Sequence, residues 1–124
     1  MAIGENPDGP FKILEKPVYA EGQTEDATVW YDKQNNHYYM VCHVFNGDTL
    51  AMFTSLDGLN WQRASQPVLM KKEFQLSNGE IWKPERVEQP RMLTDDNGKP
   101  VMLYVAVADK DANGNIAIPL KTGR

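Results

Sequence analysis

The stretch EDATVWYDKQNNHYYMV, residues 25–41, aligns without a gap on EQPRMLTDDNGKPVMLY, residues 88–104. Each copy opens on an acidic residue, Glu25 or Glu88, and enters a β-prone run, Thr28 to Tyr31 or Arg91 to Thr94. Each then breaks at a polar turn, Asp32 to Asn36 or Asp95 to Lys99, and resumes in a second β-prone run, Tyr38 to Phe45 or Val101 to Ala106. Asp and Asn side chains cap their own turn backbone and glycine accepts a left-handed one, so each copy reads as a β-hairpin.

Further elements repeat around these hairpins. NPDGPF, residues 6–11, and SLDGLNW, residues 55–61, both set Asp-Gly in a tight turn just before an aromatic, and Trp61 then anchors an outer strand. LAMFTS, residues 50–55, precedes that turn, and the related NIAIPL, residues 115–120, follows the second hairpin. Hairpin, strand, Asp-Gly turn and aromatic strand together make a four-stranded antiparallel blade, and a repeat of such blades is the sequence signature of a β-propeller.

The expected fold is all-β: a single partial β-propeller domain of about two and a half four-stranded antiparallel blades. It divides into an incoming outer strand and linker at 1–24, with the strand at Phe11 to Leu14, a full blade at 25–64, a long loop at 65–87 and a second blade at 88–124. No segment has convincing helical periodicity. The best candidate, PVLMKKEF at 67–74, is short and soon meets the turn Ser77 to Gly79. The long loop holds Trp82, Lys83, Pro84, Glu85 and Arg86, and long loops on rigid scaffolds tend to carry function.

The 124 residues are 41% hydrophobic and 24% charged with a formal net charge of -4, ordinary for a globular chain with a core of its own. No Lys/Arg cluster interleaves with aromatics, which argues against a nucleic-acid partner, and no stretch approaches a membrane span. Cys42, the one cysteine, sits in the apolar run YYMVCHVF and reads as a small buried hydrophobe. The opening MAIGENPDGPF lacks the charged and apolar regions of a secretory signal. No CxxC, HExxH, Walker or dinucleotide-binding signature is present, so neither a nucleotide cofactor nor a tight zinc site is expected.

EDATVWYD and ERVEQPRML, joined by SLDGLNW, together resemble the five-bladed propeller glycoside hydrolases of families 43 and 117. The resemblance covers nearly the whole chain, as the C-terminal portion of such a propeller. Its most specific piece is Glu85-Arg86-Val87-Glu88-Gln89-Pro90, similar to an E-R-x-E-R-P stretch of family 117. The resemblance implies a parent protein, often secreted or periplasmic, that hydrolyses plant or algal polysaccharide fragments by inversion. It implies Asp26 as the carboxylate that tunes and orients, and Glu88 as the third acidic position, the general acid in family 43. The base would lie in an earlier blade outside this chain. Val87 stands where family 117 has a His implicated as acid, which favours the alternative of a carbohydrate-binding propeller without catalysis. A central divalent metal ion, held by some relatives, is left open.

Physical chemistry reaches a similar site independently. First strands of successive blades start at one mouth of the ring, so Glu25/Asp26 and Glu88/Gln89 are expected around one funnel. With sheets about 10 Å apart, carboxylates there fall near the ~6.5–9.5 Å spacing of an inverting pair. Crowding acids together is one way to raise the pKa that a general acid needs. Bland roles compete: Asp26 and Glu88 as strand caps or partners of Arg86 and Arg91, Glu25 as structural, Arg86 as a neutraliser of the cluster or a binder of sugar hydroxyls. Trp82 is a candidate to stack on a sugar or to plug a sheet edge. His43 is a candidate to line the funnel; Trp30 and Trp61 read as core. Half a propeller also leaves apolar sheet faces uncovered, and two copies are expected to complete a ring as a homodimer or larger assembly.

Overall fold

The computed structural model describes residues 1–121, and all the regular structure in them is β. The strands are β1 (Ala2–Ile3), β2 (Lys12–Ile13), β3 (Thr24–Asp32), β4 (His37–Val44), β5 (Thr49–Ser55), β6 (Gln62–Lys71), β7 (Phe74–Gln75), β8 (Ile81–Trp82), β9 (Arg86–Thr94), β10 (Pro100–Ala108) and β11 (Asn113–Pro119). Two sheets dominate, and every pairing in them is antiparallel: β3-β4-β5-β6 in sequential order, and β9-β10-β11 likewise. The pairs β1-β2 and β7-β8 form separate two-stranded ribbons.

The repeat is carried into the hydrogen-bond register. Glu25 faces His43, Thr28 faces Val41 and Val29 faces Met40 in the first sheet. Glu88 faces Ala106, Arg91 faces Tyr104 and Met92 faces Leu103 in the second, each pair at equivalent positions of the repeat. Both ladders also slip at an equivalent place, between Glu25 and Thr28 and between Glu88 and Arg91, and the second slips again near its tip, between Pro100 and Met102. The bulge residues Asp26 and Gln89 have φ of 57° and 50°, a left-handed backbone that L-residues adopt at a local cost and that bulges impose.

The sheets pack face to face. Trp30, Val41 and Leu50 from the first meet Val87, Leu103, Val105 and Val107 from the second in one buried cluster. Each fully buried Val or Leu contributes on the order of 1.5–3 kcal/mol over leaving it exposed. The first strands β3 and β9 approach most closely, and β4 also reaches β9. At the hairpin tips the contact is direct: the Lys33 amide donates to the Asn97 carbonyl at 2.9 Å, and Lys33 Nζ to the Asp96 carbonyl at 2.6 Å. Gly98, at φ 81°, lies so close to the Tyr31 carbonyl that a Cβ there would overlap its oxygen. The opposite face of the first sheet buries Met40, Cys42, Ala51, Phe53 and Trp61, covered by Val18 and by Tyr19, whose ring lies 4.5 Å from that of Phe53.

Trp30, Trp61 and Cys42 are buried, as their patterning implied. Elsewhere the layout departs from expectation. The segment 65–87 is not one loop, because β6 continues to Lys71 and a short β7-β8 ribbon follows. Pro67 is accommodated because β6 is an edge strand and its pairing with β5 is irregular between Arg63 and Val68. The incoming strand at Phe11 to Leu14 pairs with β1 instead of joining a blade. The second sheet has three strands among the described residues, and the last residues assigned to its blade, 122–124, lie outside them.

Candidate functional site

The strand starts at Thr24 and Arg86 lie at the end of the sheets away from the joined hairpin tips, and the charged residues gather there. Cross-strand register sets Glu25 opposite His43, and Oε1 lies 3.0 Å from His43 Nδ1. His43 is buried while Glu25 keeps half its side chain in solvent. On β9, residues two apart share a face, so Arg86 and Glu88 form a two-pronged pair. Arg86 Nε donates to Oε1 at 2.9 Å and Nη2 to Oε2 at 2.7 Å. His43, Lys72, Arg86 and Glu88, with Asn46 and Gly47 of the β4-β5 turn, line a cavity of about 210 Å³.

The local electrostatics oppose the acid role drawn for Glu88. The Arg86 hydrogen bonds hold its carboxyl below the ordinary glutamate value, with the charges of Arg86, His43 and Lys72 adding to the effect against a smaller opposing push from burial. A general acid needs the reverse. Crowded acids fail to raise this pKa because cations stand among them. Arg86 in turn is stabilised in its charged form chiefly by Glu88, with Glu25 and Asp26 contributing. Burial lowers the Lys72 pKa, opposed by Glu88, Asp48 and Glu25, while its Nζ donates to the Gly47 carbonyl at 2.6 Å.

Asp26 occupies the bulge of β3, and its carboxylate joins Glu25 and His43 in a set whose candidate ligand atoms lie within 4.8 Å of one another. Two carboxylates and an imidazole are a donor set suited to a divalent cation. Four of the five expected site residues, Asp26, Glu88, Arg86 and His43, are therefore brought to one end of the sheets. Trp82 is set apart. Its ring packs 5.7 Å from that of Phe74 against the main core, its Nε1 donates to Asp109 Oδ2 at 2.8 Å, and it does not line the cavity. Arg91 donates to the Pro90 carbonyl at 3.0 Å and does not line the cavity.

Sequence reasoning missed Lys72 and the Asn46-Gly47 turn. The signal for the turn was present, since Asn-Gly between two β-prone runs marks a hairpin; Lys72 had none, because the strand carrying it to the cavity had been read as loop. Larger hollows flank the N-terminal ribbon, about 520 Å³ beside Phe11 and about 590 Å³ beside Leu14, and neither contains the acid and histidine cluster. No protein-family model, curated protein or solved structure matches the chain.

Proposed function

We propose that the cavity at His43, Lys72, Arg86 and Glu88 binds carbohydrate, in a domain of glycoside-hydrolase-like design whose present arrangement favours binding over cleavage. The observation that carries this is the meeting of two repeat-equivalent strand starts, Glu25-Asp26 and Glu88-Gln89, with a buried imidazole and a two-pronged Arg-Glu pair between them. Sugar hydroxyls are both donors and acceptors, and a rim of alternating carboxylates and cations offers partners to both. A cavity of 210 Å³ has the liquid volume of about seven waters at ~30 Å³ each, room for one sugar ring.

Hydrolysis is the second reading, and it needs Glu88 freed of Arg86 so that it can hold a proton. Arg86 is largely exposed, so an incoming hydroxyl group has room to displace it. The test pairs two measurements on the same chain: calorimetric or NMR binding of plant and algal oligosaccharides, anhydro-galactose ones included, and release of aryl groups from aryl glycosides. Binding without turnover is expected, weakened about tenfold by Glu88→Gln through loss of one charge-assisted hydrogen bond. Turnover abolished by Glu88→Gln establishes the hydrolase instead. Absence of binding by any of these sugars removes both readings.

A further inference from the structure

The repeat states what belongs on a sheet face that the chain leaves open. In the first sheet Trp30, Tyr39 and Val41 are packed beneath the second sheet, which covers them with Met92, Leu103 and Val105. Their counterparts in the second sheet are Leu93, Met102 and Tyr104, on the face turned away from the core. There Leu93 is 48% and Tyr104 40% exposed, with Ala117 of β11 exposed beside Tyr104.

The covering set has counterparts too. Met92, Leu103 and Val105 correspond to Val29, Met40 and Cys42 on the outer face of the first sheet. Tyr19 and Val18 cover the β4-β5 part of that face, but toward β3 it is open: Val29 is 46% and Tyr31 38% exposed. A groove of about 560 Å³ runs there between Val18, Tyr19, Ala27, Val29 and Met40. The molecule thus ends in two different apolar faces, and they are repeat-equivalents of the two faces that already meet inside it.

We infer that a second copy of this chain docks its first sheet, through Val29 and the adjoining groove, onto the Leu93-Met102-Tyr104 face of the second sheet. The contact continues the internal sheet-on-sheet interface across two chains. It joins unlike surfaces, so it is heterologous, and two such contacts close a pair of copies into a ring. The arrangement also sets the second copy's Glu25 and Asp26 beside Glu88 and Gln89, as the first strands are set beside each other within one chain. It stands or falls independently of what the cavity binds.

Sedimentation velocity and light scattering of the full chain test it. The wild type is expected at twice the chain mass. Tyr104→Asp and Val29→Asp, each checked for a retained β spectrum by circular dichroism, are expected to run as monomers, with dissociation constants raised at least tenfold. An equimolar mixture of the two is expected to associate more tightly than either variant alone, though less tightly than the wild type, because one of the two contacts, the intact Val29 face of one variant on the intact Tyr104 face of the other, is restored. Leu93→Lys replaces Tyr104→Asp if that variant does not fold. A monomeric wild type overturns the inference. So does association untouched by either substitution, or a mixture that associates no more tightly than the single variants, which is the behaviour of a like-to-like interface.

Discussion

Val41 in the four-stranded sheet is wholly buried, whereas Tyr104, at the same register position of the three-stranded sheet, keeps 40% of its surface in solvent. The two hairpins share the pairing and the bulge around these positions, so the difference comes from their neighbours. The first sheet has the second on one side and Tyr19 with Val18 on the other. Among the described residues, the second is covered on one side only. One local pattern therefore carries two different energetic weights, because burial depends on a partner that the hairpin does not itself supply.

The largest contrast is expected at that pair of positions. Val41→Asp puts a carboxylate without a partner into the main core and is expected to cost at least about 3 kcal/mol in urea unfolding. Tyr104→Asp in dilute solution is expected to cost about 1 kcal/mol, from strand propensity and the partly buried ring. Equal costs would mean that the open face is as well buried as the covered one. The hairpin tips come next. Gly98→Ala must satisfy φ 81° and displace the Tyr31 carbonyl, at an expected cost of about 2 kcal/mol or more. Asn36→Ala at the other tip, where φ is 53° and the variant adds no new Cβ but loses the hydrogen bond that Asn36 Oδ1 accepts from the Tyr31 hydroxyl at 3.2 Å, is expected to cost about 1 kcal/mol.

A third contrast sets Glu25, paired with His43, against Glu88, paired with Arg86. The folded-state pKa of Glu88 lies below its ordinary value of 4.5. Its stabilising effect is therefore complete above the unfolded value and disappears as pH falls through the lower folded one. Arg86→Met is expected to move the Glu88 carboxyl titration upward by NMR and to shift the acid limb of stability with it; an unmoved titration would show that Arg86 does not hold the carboxylate. The smallest effect is kinetic. Burial pushes the Cys42 thiol up to about 11, so its labelling by thiol reagents is expected to wait for global unfolding. Val105→Cys in a Cys42→Ala background, the counterpart position, equally buried and in the main core, is expected to label at the same unfolding-limited rate at equal stability, and faster labelling there would show that the three-stranded sheet opens on its own.

Much of the fold was legible because hairpin chemistry is local. Asp32 accepts from the Gln34 and Asn35 amides, Asp57 from those of Leu59 and Asn60, and Asp95 from those of Asn97 and Lys99, each a short-range bond that its turn sequence announces. The extension of β6 through Pro67 was not legible, since edge position and irregular pairing are properties of the sheet. Trp82 stayed open between two roles for a similar reason: its placement is decided by Asp109, 27 residues away, and by the core beneath it. At the site, the gathering of Asp26, Glu88, Arg86 and His43 followed from repeat equivalence. The protonation of Glu88 was legible only as the competing reading, with Arg86 as neutraliser of the cluster, because it takes the strand register to show that Arg86, two positions along, shares its face.

The hydrogen bonds from Lys33 to Asn97 and Asp96 fasten the two hairpins at their tips like a clasp. That fastening lies a nine-residue strand, ~30 Å at ~3.3 Å per residue, from the strand starts that carry the charged cavity. At the cavity end the sheets are held instead by Val87, wholly buried between Arg86 and Glu88. The paired sheets are thus tied at both extremities, by polar bonds at one and by an apolar side chain at the other.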